Sequence, residues 1–440
     1  MSNFARNTMI GTLGMLLGVM LALVVGAHAE RENNKADNTI PMGEIRALSE
    51  VFGKIKENYV EPVKDKTLLE NAIRGMVDSL DPHSTYLDKA AFQELRVGTT
   101  GEFGGLGIVV GMEDGFVKVI SPIDDTPAQR AGIKTGDLII RLDNKPVKGM
   151  SLDEAVKLMR GKPGTPIQLL VVREGMDKPL TFTLIRDKIR VQSVKSKLLE
   201  PGLGYIRISQ FQERTSADMR KAITKLKKES KGKLDGLILD LRNNPGGLLD
   251  AAIDVSDTFI TSGTIVSVRG RNSADDVVHT ATPNDMLKGA PMIVLVNGGS
   301  ASASEIVSGA LQDQKRAIIM GTKTFGKGSV QTVVPLGNDT AIKLTTARYY
   351  TPSGRSIQAE GIQPDIVLDN LKVAEGKPDI AAPIKEADLE GHLINDKKAK
   401  SAAKKDDKKE RVDLAKEDYI LYEALNTLKG MSLLSERSKQ

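Results

Sequence analysis

One stretch of the sequence, in which an apolar strand breaks into a helix, constrains the fold more than any other. The run MIVLV at Met292 to Val296 is typical of a buried β-strand. It ends at Asn297, Gly298 and Gly299, and the residues that follow, as far as Asp313, have helical spacing. The sequence therefore predicts a strand, a sharp turn and a helix, which is the repeating unit of layered α/β folds.

Ser302 lies in this turn, at the start of the predicted helix, and is the candidate nucleophile. Backbone N–H groups and the positive end of the helix dipole meet there, so the position suits a hydroxyl that attacks a carbonyl and creates a negative oxygen. Plain N-capping or tight packing by Ser300, Ser302 or Ser304 is the alternative interpretation. The rest of the sequence has to decide between the two.

Length and composition limit the class of protein. A chain of 440 residues with 40% hydrophobic content can bury more than one core, which predicts roughly two to three domains. The net charge is +5, aromatic residues make up 4%, and no nucleic-acid motif is present, so we expect no nucleic-acid partner. The absence of cysteine from the sequence excludes thiol catalysis and disulfides.

Residues 1–29 have the pattern of an export signal. Arg6 supplies a positive charge, Met9 to Gly26 supply an apolar run, and Ala27-His28-Ala29 matches a cleavage site. A cleaved signal predicts an exported, periplasmic protein, whereas an uncleaved one predicts a membrane anchor. Both outcomes remain open at this point.

Both ends of the remaining chain have amphipathic helical patterns. We expect an N-terminal helical domain at residues 30–100, a charged linker at 376–411 and a C-terminal helix at 412–440. The apolar stripes are Ile45, Leu48, Phe52 and Ile55, then Leu69, Ile73, Met76 and Leu80, and finally Leu414, Leu421, Leu425 and Leu428. Helices this short bury little by themselves, so the sequence predicts a homo-oligomer formed through its terminal helices.

Residues 101–188 change to short strands and turns and resemble a PDZ domain. The GLGI loop at Gly105 to Ile108, AGIKTGD at Ala131 to Asp137 and VVRE at Val171 to Glu174 occur in the order of that family. The resemblance implies that a peptide adds as a β-strand and that loop N–H groups bind its terminal carboxylate. The implied peptide-binding residues are Gly105, Leu106, Gly107, Ile108, Val109, Leu152, Val156 and Met159. A simple glycine turn is the alternative.

Residues 189–375 alternate strands and helices and are predicted to form an α/β layered core. GLILDLR at Gly236 to Arg242 is a buried strand, and NNPGG at Asn243 to Gly247 ends it. Glycines at the end of such a strand let N–H groups approach a substrate closely, so Gly246 is a candidate oxyanion donor. A tight turn with no substrate would use the same residues.

A glycine-rich loop supplies the candidate base. None of the four histidines has a setting that suggests a Ser-His-Asp arrangement. Lys327 lies between Gly326 and Gly328 and is a base only if burial removes its charge, because a lysine in water has a pKa of about 10.4. Gln331 is placed to hydrogen-bond its amine. A solvated surface lysine is the alternative.

Several of these segments together resemble the carboxyl-terminal processing proteases, also called tail-specific proteases. The resemblance extends from about Met42 to Asp369 and includes a PDZ domain between the export signal and the core. Its motifs, in order, are DLRNNPGG at Asp240 to Gly247, GSASASEI around Ser302, GKGSVQ at Gly326 to Gln331, ARYYTPSGRSIQ at Ala347 to Gln358 and GIQPD at Gly361 to Asp365.

The resemblance assigns roles to five residues. It implies a Ser/Lys dyad of Ser302 and Lys327, assisted by Gln331. It also implies an oxyanion hole formed by the N–H groups of Gly246 and Ala303. No metal and no organic cofactor takes part in such a mechanism.

We therefore expect an α/β multidomain protein with N-terminal helices, a PDZ domain inserted before an α/β layered (crotonase-like) protease core, and a C-terminal helical region. The expected function is an exported serine endopeptidase that captures protein or peptide substrates by their C-terminal tails, with an activating or adaptor protein as a further possible partner. The alternative is a catalytically silent, exported peptide-binding scaffold. The presence of both Ser302 and Lys327 argues against that alternative.

Overall fold

A computed structural model describes residues 40–369 and 414–437 of the chain. It contains two compact units, Met1–Met76 and Val77–Gln440. The predicted export signal at 1–29 and the predicted linker at 376–411 lie outside the described residues. Among the helices that are described, none combines the length and the apolar character needed to cross a membrane.

The first unit is helical where it is described. It contains α1 (Met42–Asn58) and most of α2 (Asp65–Asp78). Ile45, Leu48 and Leu69 of the predicted apolar stripes are exposed. The amphipathic pattern thus forms helices, as the sequence predicts, and leaves part of their apolar surface in contact with solvent.

The second unit begins with β1 (Thr85–Leu87) and α3 (Lys89–Thr100) and then enters a small β-domain. The elements of that domain are β2 (Glu102–Gly105), β3 (Ile108–Glu113), β4 (Phe116–Pro122), α4 (Pro127–Arg130), β5 (Leu138–Leu142), β6 (Lys145–Pro146), α5 (Leu152–Met159), β7 (Pro166–Val172), β8 (Leu180–Ile185) and β9 (Asp187–Arg190). An antiparallel sheet has the order β3-β4-β5-β7-β8 with β6 beside β5, and β2 pairs with β9. Since β3 is an edge strand, it is open to pairing with a further strand.

Local sequence explains where α5 begins. Ser151 Oγ accepts the Glu154 N–H at 3.3 Å, and Glu154 Oε2 accepts the Ser151 N–H at 2.8 Å. This reciprocal capping box is the one that the Ser151 and Glu154 spacing predicts. Ala155 and Met159 of the helix are buried in the core of the domain.

The remaining elements form the layered core. They are β10 (Val194–Glu200), β11 (Leu203–Ile208), α6 (Thr215–Glu229), β12 (Gly236–Asp240), α7 (Leu249–Asp257), β13 (Thr264–Gly270), a 3-10 turn (Ser273–Asp275), β14 (Val277–Thr280), β15 (Met292–Val296), α8 (Ala303–Asp313), β16 (Ile318–Gly321), β17 (Ser329–Pro335), β18 (Ala341–Tyr350), β19 (Ile366–Val367) and α9 (Tyr419–Arg437). One sheet has the order β10-β11-β12-β15-β16-β19 and is parallel from β11 onward. A second sheet has the order β1-β18-β13-β14, with β17 also paired to β18.

Both faces of the parallel sheet are covered. Leu237 and Leu239 pack in one hydrophobic cluster with residues of α6, α7 and α8. Ile238, which points to the other face because strand side chains alternate, packs in a cluster with α9. Burial on both faces explains why β12 and β15 are continuous apolar runs.

The apolar stripe of α9 packs inside its own chain. Leu421, Leu425 and Leu428 are buried and belong to the cluster that covers this second face. The sequence pattern suggested that another copy would cover this stripe, but a sheet far away in the sequence covers it instead. Oligomerisation through the terminal helices stays a prediction.

Candidate active site

Ser302 has a backbone conformation that is rare for its residue type. It precedes α8 with φ 55° and ψ −110°, and positive φ values crowd the Cβ atom of any residue except glycine. The residue is only 8% exposed. Strained backbone of this kind is concentrated at active sites, where the surrounding structure has to maintain it.

Glu305 connects the Ser302 turn to the Lys327 loop. Its side chain is completely buried. Oε2 accepts the N–H groups of Ser302 and Lys327 at 2.7 and 2.9 Å. Oε1 accepts the Thr324 hydroxyl and the Gly326 N–H, both at 2.6 Å. Sequence reasoning missed this residue, although a glutamate three residues after a serine at a helix start is the capping-box signal.

Lys327 is partly buried in this loop, and its pKa is lowered. Burial is the largest cause, because it disfavours the charged ammonium, and the positive charge of Lys343 acts in the same direction. Asp81 and Glu305 oppose the change. A lowered pKa increases the fraction of neutral amine, which is the form that can accept a proton.

The predicted dyad is not joined in this arrangement. Across residues 40–369 and 414–437, no hydrogen bond connects Lys327 Nζ to Ser302 or to Gln331. The Ser302 hydroxyl instead hydrogen-bonds the hydroxyl of Tyr349, and sequence reasoning assigned no role to this tyrosine. Burial raises the pKa of Tyr349 and outweighs the opposing effect of the bond from Ser302, so that the pKa is about 12.

Gln331 contacts neighbours on its own sheet. Its Nε2 donates to Ser329 Oγ at 2.8 Å and to Thr345 Oγ1 at 3.3 Å. The amide is therefore held in place, but not by Lys327.

Gly246 lies directly beside the start of α8. A Cβ atom added to it would be 2.9 Å from Ser302 Cβ and 3.0 Å from Ala303 N, and its φ of +102° also requires glycine. The Gly246 N–H donates to Asn244 Oδ1 at 2.9 Å. Gly246 and Ala303 thus both adjoin Ser302, but the Gly246 donor is used within its own loop here.

The two neighbouring serines have structural contacts. Ser300 Oγ donates to the Leu241 carbonyl at 2.8 Å, and Ser304 Oγ donates to the Asn244 carbonyl at 2.9 Å. Both bonds tie the start of α8 to the end of β12. Their hydroxyls donate to backbone carbonyls, whereas the partner of the Ser302 hydroxyl is the side chain of Tyr349.

Most of the residues predicted to bind peptide line one groove of the β-domain. Its lining includes Gly105, Leu106, Gly107, Ile108, Val156 and Met159. Val109 is exposed outside the groove because side chains alternate along β3, and Val110 takes its place in the lining. Leu152 packs on the hydrophobic core of the domain instead. Phe103 and Arg160, which the sequence did not indicate, also line the groove.

Comparison with known proteins places families on the chain. Residues 202–368 match the model of Peptidase family S41, residues 104–184 match the PDZ domain, and residues 9–91 match the Activating protease CtpB N-terminal domain. The first two matches fall on the layered core and the small β-domain.

Curated relatives share most of the chain. A Carboxy-terminal-processing protease of Bartonella bacilliformis is 49% identical over 379 residues, which cover 86% of each chain. The Carboxy-terminal processing protease CtpA of Bacillus subtilis is 38% identical over 321 residues, which cover 72% of this chain and 68% of that protein. Among solved structures, a Photosystem II D1 C-terminal processing protease is 33% identical with a TM-score of 0.43, covering 73% of this chain and 92% of that one.

These matches confirm the predicted combination of a PDZ domain with an α/β protease core. The chain therefore belongs to peptidase family S41, as a carboxy-terminal processing protease that carries a PDZ domain.

Proposed function

We propose that the protein is an exported serine endopeptidase in which Ser302 is the nucleophile and Lys327 the general base, assisted by Gln331. The observation that carries this proposal is the buried carboxyl group of Glu305, which accepts the N–H groups of both Ser302 and Lys327. One side chain thus fixes the strained serine and the lysine loop relative to each other. Such fixed geometry lowers the entropic cost of bringing two reacting groups together.

The chemistry follows from this pair. Neutral Lys327 accepts the Ser302 proton as Oγ attacks the scissile carbonyl, and the N–H groups of Ala303 and Gly246 stabilise the resulting oxyanion. Lys327 then gives the proton to the leaving amine as the C–N bond breaks. Water, deprotonated by Lys327, hydrolyses the acyl-enzyme and regenerates Ser302.

The described arrangement fits a resting enzyme. Ser302 Oγ has to leave Tyr349, and the Gly246 N–H has to leave Asn244, before the proposed dyad and oxyanion hole are complete. Substrate binding is the event that we propose to drive these changes. An activating or adaptor protein would act at the same step.

The PDZ groove supplies the substrate in this proposal. A protein tail adds as a strand to the edge of β3, and its terminal carboxylate is bound near Gly105 to Gly107. Because the tail is then tethered, the effective concentration of its scissile bond at Ser302 rises. The export pattern at residues 1–29 suggests that these substrates lie outside the cytoplasm.

The silent scaffold is not favoured, because the chain belongs to a protease family and has both Ser302 and Lys327. Incubation with casein tests the proposal. The unaltered protein should cleave it, Ser302→Ala and Lys327→Ala should not, and Lys323→Ala, which removes an exposed lysine of the same loop, should cleave normally. Cleavage that survives both dyad changes would overturn the assignment.

A further inference from the structure

A turn that none of the motifs above includes, Asp81 to Ser84, is built around one carboxyl group. Asp81 Oδ1 accepts the N–H groups of His83 and Ser84 at 2.8 and 3.0 Å. Asp81 Oδ2 accepts the Ser84 hydroxyl at 2.6 Å. These bonds fold the Asp-Pro-His-Ser sequence into a compact turn just before β1.

The same carboxyl group reaches the sheet that carries Gln331. Thr345 Oγ1 donates to Asp81 Oδ1 at 3.1 Å, and the Thr345 N–H donates to Ser84 Oγ at 3.1 Å. Thr345 lies opposite Gln331 in the pairing of β17 with β18, and its hydroxyl accepts Gln331 Nε2 at 3.3 Å. A continuous chain of hydrogen bonds therefore joins Asp81 to Gln331 through one threonine.

Charges of the turn act on the candidate base. Burial raises the pKa of Asp81, but its hydrogen bonds from Ser84, His83 and Thr345 outweigh this and lower it to about 2, so the group is anionic at neutral pH. Asp81 raises the pKa of Lys327, as Glu305 of α8 also does, while Lys343 of β18 lowers it.

His83 also belongs to this set. Burial is the largest cause of its lowered pKa, and the positive charge of Lys327 acts in the same direction. The usual value is 6.5, so His83 is mostly neutral above pH 7. The titration of His83 therefore does not affect activity measurements made above pH 7.

We propose that Asp81 is a positioning residue of the proteolytic site, which orders Gln331 through Thr345 and holds a fixed negative charge near Lys327. This inference rests on the proposed role of Lys327 as the base. Asp81 acts on catalysis through other side chains and touches no substrate. Lys343, on the strand that β1 pairs with, balances its charge.

The pH dependence of kcat/KM above pH 7, measured with a fluorogenic peptide, tests the charge. Asp81→Asn preserves an acceptor for the turn but removes the charge, so the acid limb should move to lower pH by on the order of half a unit. Lys343→Gln should move the same limb to higher pH. Asp339→Asn, an exposed aspartate paired with Lys89, is the matched control and should move nothing.

Thr345→Val tests the hydrogen-bonded link separately. It retains the charge of Asp81 and the shape of residue 345 but removes the hydroxyl, so kcat should fall by about tenfold with KM and the acid limb unchanged. A kcat equal to that of the unaltered enzyme would overturn the positioning role. The same variant remains informative if Asp81→Asn fails to fold.

The outcomes separate this inference from the proposed function. If Lys327→Ala is inactive but the acid limb does not move in Asp81→Asn, or moves in the same direction in Asp81→Asn and Lys343→Gln, the inference about Asp81 is wrong and the dyad stands. If Lys327→Ala retains activity, the proposed base is wrong, and the role of Asp81 is wrong with it.

Discussion

Arg242 binds Asp418 with two parallel hydrogen bonds, Nη1 to Oδ1 at 2.8 Å and Nη2 to Oδ2 at 2.7 Å. Arg242 directly precedes the NNPGG loop, and Asp418 accepts the Leu421 N–H at the first turn of α9. The same guanidinium also bonds the buried Asp240 at the end of β12. The C-terminal helix is therefore tied to the strand from which the proposed oxyanion loop begins.

Asp418→Asn should destabilise the folded protein by about 2 kcal/mol at neutral pH, because it leaves Arg242 with an unmatched donor in a largely buried position. Burial raises the pKa of Asp418, but the bonds from Arg242 and the Leu421 N–H outweigh it, so the folded pKa lies below 3.8. The stability that the Arg242 and Asp418 pair contributes is fully present above pH 3.8 and is lost as the pH falls through the lowered folded pKa of Asp418.

Urea unfolding at neutral and acidic pH measures this effect. The difference between the variant and the unaltered protein should shrink at the acidic end. Asp339→Asn, which removes an exposed ion pair, should change stability little at either pH. An equal loss in both variants would contradict a specific role for the Arg242 and Asp418 pair.

Glu305→Gln should reduce kcat/KM by about a hundredfold. The amide nitrogen of glutamine would face hydrogen-bond donors, because Oε2 now accepts two N–H groups and Oε1 accepts one N–H group and one hydroxyl. Ser302 and the Lys327 loop would then separate by a fraction of an ångström. Because glutamine and glutamate are similar in volume, the substitution changes the charge and the hydrogen bonds but hardly the size of the side chain. Glu360→Gln, at an exposed position, is the control, and steady-state kinetics combined with a thermal melt separate lost activity from lost folding.

Lys327→Met should abolish cleavage and raise the melting temperature at pH 7. Burial lowers the pKa of Lys327, so the folded state disfavours the charged amine that the unfolded chain carries freely. The unfolded state binds more protons between the lowered folded pKa and the usual 10.5, so stability rises with pH across that window. Methionine removes the free-energy cost of burying this amine. Lys323→Met replaces an exposed lysine and should leave the melting temperature unchanged. A lower melting temperature in Lys327→Met would show that the amine stabilises the fold.

Sequence patterns predicted local features of the site better than distant ones. The strand at Met292–Val296, its sharp turn and α8 all leave a periodic signal within a few residues, and the capping box of α5 does the same. The bond between Thr345 and Asp81 joins residues 264 positions apart, and no local periodicity marks it. The sequence predicted the apolar stripe of α9 but not the sheet that covers it, because amphipathic spacing shows which face of a helix is apolar and not what packs on that face.

Sequence patterns also did not show which N–H donors of the site are already hydrogen-bonded within the fold. Gly246 was selected for the freedom of its backbone, and its φ of +102° agrees with that reasoning. Whether its N–H points toward Ser302 or toward Asn244 depends on a side chain two residues earlier. Neither composition nor residue spacing shows the direction in which this N–H points.

Gly246→Ala should eliminate activity and destabilise the protein by more than the cost of its positive φ alone. The added Cβ would lie 2.7 Å from the Ala301 carbonyl oxygen and 2.9 Å from Ser302 Cβ, so the start of α8 would have to shift. Gly232→Ala is a matched control, since Gly232 has φ +99° with open space around it, and should cost only about 1–2 kcal/mol. Similar melting temperatures for the two variants would contradict the steric argument.

Val156→Gln should raise KM for substrates with a free C-terminal tail by about tenfold and leave kcat nearly unchanged. Val156 lines the PDZ groove, so a polar side chain there weakens binding of an apolar tail without reaching the chemistry at Ser302. Val109→Gln is the matched control, because Val109 lies on β3 itself but is exposed outside the groove, and its KM should stay near that of the unaltered enzyme. A short peptide that spans only the scissile bond should be cleaved equally well by all three proteins, since it makes no use of the groove. If Val109→Gln raised KM as strongly as Val156→Gln, the peptide would have to bind on the other face of β3, and the groove would not be its site.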